Sequence, residues 1–151
     1  MTPTAQAVCH LVFSLPFESY QFNIYMDNDF TSILLFRHLR DHRIGAAGTT
    51  RAKHPDFPPV FAISKDITSR ILERNHLSGV VVNGVCTPLW QDNNTILFLT
   101  TIHNLRQLVL SNRRKPRKKS SNLNALTARK PFAETGHKKL LPIPALVDDY
   151  N

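Results

Sequence analysis

A mixed α/β fold is what this sequence predicts, on three observations. Apolar residues recur at helical spacing over 4–15 and again over 30–39. They alternate with polar residues over Phe22–Asp27, the period-2 mark of a strand. Asn83-Gly84 stands between two β-rich runs, the strongest short-range hairpin signal a sequence carries. The 151 residues fit one domain or a piece of one, and 42% hydrophobic with 20% charged residues argues against wholesale disorder, collagen-like repeats or a coiled coil.

In chain order, Ala5, Val8, Cys9, Val12 and Leu15 make the buried stripe of a short helix, which Pro16 stops. Phe22, Ile24 and Met26 form one face of a strand that ends on Asp27. Asn28, Asp29, Thr31 and Ser32 supply capping groups for a second helix, whose apolar face is expected to hold Phe30, Ile33, Leu34, Leu35, Phe36 and Leu39, with Gly45 ending it. Ile44–Arg51 is a return strand, rich in small residues because a helix packs closely over it. Pro55, Pro58 and Pro59 break the regularity, and residues 60–76 carry only a weak helical pattern. Val80–Val82, Val85–Trp90 and Thr95–His103 then form an antiparallel meander, turning at Asn83-Gly84 and at Gln91–Asn94. A last apolar patch, Leu140–Val147, precedes Asp148-Asp149-Tyr150-Asn151.

The formal charge is +8, and it is not spread evenly. Residues 113–139 hold ten basic side chains against Glu134 alone, while the rest of the chain holds nine basic and ten acidic ones. That stretch also carries Pro116, Ser120, Ser121, Asn122, Asn124 and Pro131, which predicts a mobile basic connector. Clustered Lys and Arg release DNA counterions on binding, so polyanion contact is weighed above a solvated linker without a partner. Arg113–Lys119 also fits a nuclear-import cluster. The chain has no run of 18 apolar residues to cross a membrane, and no Lys or Arg precedes Val8–Phe17 to open a secretory signal, so a soluble intracellular protein is expected. Cys9 and Cys86 form no CxxC and are expected to be reduced, structural thiols.

Chemistry-bearing patterns are few. Asp27 ends a strand beside a helix start, where open α/β sheets place ligands and metals, although a helix-capping loop acid is the plainer reading. His38 and His42 have the spacing of a zinc pair but lie among Arg37, Arg40 and Arg43, which favours a solvated helix face. There is no Gly-rich phosphate loop and no nucleophile elbow. Trp90 and the aromatics of the meander could stack on bases, with core or cross-strand packing the stronger reading.

Taken with its neighbours, Tyr25-Met26-Asp27-Asn28-Asp29-Phe30-Thr31-Ser32 resembles the hydrophobic-x-Asp-Asn-aromatic-Phe-Thr-Ser block of piggyBac-type transposases. As in that family, a leucine-rich helix follows, then a Gly-Thr-x-Arg block (Gly48, Thr49, Thr50, Arg51), a proline-bearing segment, and a β-rich stretch ending near Leu99–Asn104. Pro142–Asn151 looks like the family's lead-in to its next block. The resemblance implies an internal fragment: a partial ribonuclease-H-like core over 1–51, an antiparallel β insertion over 52–112, a basic, poorly ordered C-terminal connector over 113–139, and a return segment over 140–151.

It implies metal-dependent cutting and rejoining of DNA, with Asp27 as the second catalytic aspartate and a metal ligand. Mg²⁺ is the implied cofactor, held weakly or not at all by this chain. The first aspartate is expected upstream of residue 1, and the last in a Gly-Gly-Val-Asp-like block beyond Asn151; Asp148 and Asp149 precede that block and do not replace it. Asp29 stands where the family usually has an aromatic residue, and the cysteine-rich C-terminal module of many relatives is missing. DNA is the expected partner, through Arg51, Arg113, Arg114, Lys115, Arg117, Lys118 and Lys119, with no membrane partner and no small-molecule substrate. The nucleus is the expected location, otherwise the cytoplasm. The expectation is a transposable-element-derived chain that is inactive alone. The alternative is a non-catalytic nucleic-acid-binding or interaction module using the basic segment, and a third class is a degenerate reading frame with no selected role.

Overall fold

The computed structural model describes residues 1–54, 56–61, 72–117, 128–132 and 136–151. Helix α1 (Pro3–Phe13) starts on Thr2, whose hydroxyl accepts the Ala5 N–H at 3.2 Å, and has Pro3 at its first position, where no N–H is needed. Strand β1 (Asn23–Met26) leads into helix α2 (Ile33–Asp41), capped by the Ser32 hydroxyl on the Leu35 N–H at 3.1 Å. Strand β2 (Gly45–Thr49) returns parallel to β1, as a helical crossover requires. Strands β3 (Leu77–Val82), β4 (Val85–Gln91) and β5 (Thr95–Thr100) form the meander. Asn83 (φ 51°) and Gly84 (φ 77°) both take the left-handed backbone that a tight hairpin needs.

β5 pairs antiparallel with β2, so the five strands make one sheet in the order β1-β2-β5-β4-β3. Its two faces carry separate cores. Val8, Val12, Leu35, Phe36 and Leu39 from the helices cover Ala46, Leu89, Leu97 and Leu99. On the other face Ala47, Trp90 and Phe98 meet Ile143, Leu146 and Val147. Neighbouring residues thus point to opposite cores, which is why β5 reads as an unbroken apolar run rather than an alternation.

The second cover comes from the C-terminal part. Strands β6 (Leu108–Arg114) and β7 (Lys138–Pro144) form an antiparallel ribbon, and the short helix α3 (Ala145–Tyr150) follows β7 directly. The two ends of the basic stretch are therefore ordered strand rather than connector, with Arg113 opposite Lys139 and Arg114 opposite Lys138. Lys118 and Lys119 lie outside the described residues, as do 62–71 of the ambiguous region; Pro59–Phe61 is a single 3₁₀ turn.

Two local expectations differ in detail. Arg43 (φ 61°), not Gly45, takes the left-handed position after α2. Gly45 opens β2, where a Cβ would run into Asn23 Oδ1 and the Ile102 side chain. Phe30 and Leu34 leave the predicted apolar face and are 49% and 50% exposed, because the α2 face toward the sheet is filled by Ile33, Leu35, Phe36 and Leu39. Cys9 and Cys86 are free thiols, and burial pushes both pKa values up.

Candidate functional site

Asp27 follows the last residue of β1, and the parallel register, Met26 opposite Gly48, sets it beside Thr49 at the end of β2. The approach is close because residue 48 has no side chain; a Cβ there would strike the Met26 carbonyl and the Thr31 methyl. Thr31, buried, donates to the Thr49 carbonyl at 2.7 Å and locks the turn after Asp27 to β2.

The Asp27 carboxylate is exposed but held. Its Oδ1 accepts the Asn28 N–H at 2.6 Å and the Thr49 hydroxyl at 2.9 Å. The Asn28 N–H first, then the Thr49 hydroxyl and the nearby Arg51 charge, hold its carboxyl below the usual range, against a smaller opposing effect of desolvation. The Tyr150 hydroxyl lies 3.4 Å from Thr49 Oγ1, so α3 reaches the same site. The sequence singled out Thr49 only as part of a four-residue block, and Tyr150 only within the terminal Pro142–Asn151 block. The readable signal was a hydroxyl residue at the end of the strand parallel to the one bearing Asp27.

Arg51 is engaged rather than free. Its Nε donates to Asn28 Oδ1 at 2.9 Å, and its guanidinium forms an ion pair with Asp29. The residue that departs from the expected aromatic thus neutralises the nearest candidate DNA-binding arginine.

Two clefts flank the Asp27-Asn28 turn and differ in charge. One of about 460 Å³ has Arg51, Lys53 and His54 in its lining, with Asp29 as its acid. The other, about 600 Å³, is walled by Asp27, Thr49, Tyr150 and the β4–β5 turn, and its lining contains no Lys or Arg. Asp92 of that turn also lines it, but is already paired with Arg74 at 2.6 Å and Arg113 at 2.5 Å. Arg74 in turn stacks over Phe132 and donates to the Ala128 carbonyl.

The ribbon cations divide by the pleat. Arg113 faces inward, on Asp92 and over the Trp90 ring at 5.8 Å, and the Lys139 ammonium donates to the Pro131 carbonyl at 2.7 Å. Arg114 and Arg117 are exposed. The Lys115 N–H donates to the His137 carbonyl at 2.9 Å. Trp90, 2% exposed and donating its indole N–H to Asn75 Oδ1 at 2.9 Å, is core and no stacking platform.

His38 and His42 pack with tilted rings, centroids 4.6 Å apart, and both contact Phe13, His38 edge-on, which ties α2 to α1. His103, expected only as the end of the last meander strand, lies past β5 and bridges the Thr100 hydroxyl at 2.9 Å and Asp149 at 3.0 Å, fastening α3 to the end of β5.

Among the described residues no three His, Cys, Asp or Glu side chains converge to hold a metal. Asp27 fits as one oxygen ligand of a hard divalent cation. It does not make a Mg²⁺ site alone, since that ion wants near-octahedral oxygen coordination. No helix among the described residues is long and apolar enough to cross a membrane.

The profile of a protein family described as Transposase IS4 matches residues 2–151. Among solved structures, the fold is similar to that of a piggyBac transposase seen by cryo-electron microscopy in a synaptic complex with hairpin DNA, at a TM-score of 0.57 and 17% identity. The match covers 98% of this chain and 24% of that one, so the chain spans about a quarter of that protein's length. No curated protein matches the chain.

Proposed function

Because this chain belongs to the Transposase IS4 family, a family that implies a divalent metal cofactor, we propose that it contributes a DNA-binding surface and one metal-ligating aspartate, Asp27, to transposase chemistry. On this reading it binds DNA by itself and does not cut it. One observation carries the proposal. Asp27 stands at a strand end with its carboxyl oriented by Asn28 and Thr49, between a cation-lined cleft and a cleft without cations. A cation-lined cleft suits the phosphate backbone, and the cation-free one suits a hard metal ion such as Mg²⁺ beside it.

Strand transfer with two metal ions needs several carboxylates converging on sites about 3.5–4 Å apart. Asp92 cannot serve while two arginines hold it, so among the described residues lining the cleft Asp27 is the one carboxylate without an arginine on it. The Asp29–Arg51 pair commits a cation near Asp27 to internal charge balance, which subtracts from phosphate binding at that cleft. A DNA partner also makes the nucleus the proposed location.

The test is paired. Fluorescence anisotropy with a duplex should show binding that weakens steeply with salt. Incubation of supercoiled plasmid with the chain in Mg²⁺ or Mn²⁺ should leave it intact. Metal-dependent nicking that is lost in Asp27→Asn would overturn the non-catalytic part, and salt-insensitive or absent binding would overturn the DNA part.

A further inference from the structure

The pleat of the β6–β7 ribbon sorts its residues onto two faces. Val109, Arg113, Leu141 and Ile143 turn inward, while Leu108, Leu110, Asn112 and Arg114 of β6 and Lys138, Leu140 and Pro142 of β7 turn outward. The outward face is apolar at its base and cationic at its tip. Leu110 is 70% and Leu140 60% exposed, an unusual loss of apolar burial for two strand residues. In the register, Leu110 faces Pro142 and Leu140 faces Asn112, so the two leucines are diagonal neighbours, about 7–8 Å apart for such pairs.

Next along the ribbon, Arg114 lies directly opposite Lys138. Like charges at directly opposed positions repel and weaken a sheet. Neither side chain forms an ion pair with a described residue, whereas the inward Arg113 is compensated by Asp92. An external anion between Arg114 and Lys138 turns that repulsion into attraction.

We propose that this outward face is a contact surface for duplex DNA, with Arg114 and Lys138 on backbone phosphates and Leu110 and Leu140 packed against the sugars and base edges between them. The assignment rests on the DNA-binding reading above and adds a second element to the binding surface. The dimensions suit it. A two-stranded ribbon fits a DNA groove, and apolar side chains beside cations are how many groove-binding proteins grip and unstack a base step. Past the tip, Arg117 is exposed as well. A second copy of the chain is the poorer occupant, because two such faces would bring Arg114 and Lys138 against their own kind.

The test is anisotropy of the full chain on a duplex of mixed sequence, from about 50 to 200 mM salt. Every phosphate left without its cation should flatten the log–log salt slope by about 0.9, so Arg114→Gln with Lys138→Gln should flatten it by about 1.8. Leu110→Ser with Leu140→Ser should weaken binding at least about fivefold at every salt concentration with the slope unchanged, the signature of a non-electrostatic interaction. Arg37→Gln, on the distant solvent face of α2, should change neither, and circular dichroism melts check that all variants fold. Wild-type binding that both ribbon variants leave unaltered overturns the ribbon assignment and spares the DNA reading. Leucine variants that abolish self-association while binding DNA normally assign the face to a second copy and also overturn it. A wild-type chain that binds no duplex removes the DNA reading and this inference together.

Discussion

At Asp27 the distance from composition to chemistry is a single threonine. A carboxylate after a strand is ordinary, and its depressed pKa comes from the Asn28 N–H and from Thr49 across the parallel register. Thr49→Val should therefore raise the Asp27 pKa toward the ordinary carboxylate value, about 3.9, as a carboxyl-carbon NMR titration would report. The sign follows from linkage. A group with a depressed folded pKa adds stability above its unfolded pKa, and that contribution is lost as pH falls through the folded value. Removing Thr49's hydroxyl should thus flatten the acid limb of the stability curve. Asp29 offers a second test, because it holds Arg51. Asp29→Asn should free that guanidinium and steepen the salt slope of DNA binding by up to about 0.9. No single-residue reading could have found the Asp29–Arg51 pair, which exists because the turn after β1 and the end of β2 meet.

Element by element, helices α1 and α2, strands β1 and β2 and the hairpin meander were legible, because each rests on a short-range pattern of period, cap or turn, whereas β6, β7 and α3 were not. The Asn83-Gly84 hairpin should tolerate Gly84→Ala poorly. At φ 77° an added Cβ costs about 1–2 kcal/mol, and it would meet the Arg40 guanidinium, which can move aside. A urea denaturation midpoint lowered by that amount is the expected result. Gly48→Ala should be worse, since its Cβ meets the Met26 backbone carbonyl, which cannot move without parting β1 from β2. Beyond the stability loss, its Asp27 amide resonances should shift. In the basic stretch only the two ends differ from the expected connector, Arg113 and Arg114 lying in β6 and Lys138 and Lys139 in β7. Lys, Arg and Pro do lower the odds of a packed segment, but cross-strand pairing with Lys138 and Lys139 orders Arg113 and Arg114 from 24 or more residues away. Sequence windows do not span such a separation.

For the whole molecule, two cores on opposite faces of one sheet set the stability, and α3 is part of the second. Leu146→Ala should cost about 2–5 kcal/mol, since Leu146 is 2% exposed against Trp90 and Phe98. The loss of near-ultraviolet signal from Trp90 on heating should then come several degrees earlier. The outer edges of β1 and β3 have no strand partner among the described residues, and Val81 on β3 is 69% exposed. Open edges template association, so sedimentation should show concentration-dependent self-association that Val81→Lys reduces. By itself the sequence determined the local elements, the position of Asp27 at a strand end and the imbalance of charge, because caps, turns, alternation and composition act within a few residues. Only the tertiary structure decided that the meander joins the β1–β2 sheet, that Thr49 orients Asp27, that two arginines occupy Asp92, and that the pleat sends Arg113 inward and Arg114 outward. Those outcomes depend on which distant segments come into register, and register is set by packing both faces of the sheet at once rather than by any stretch of chain alone.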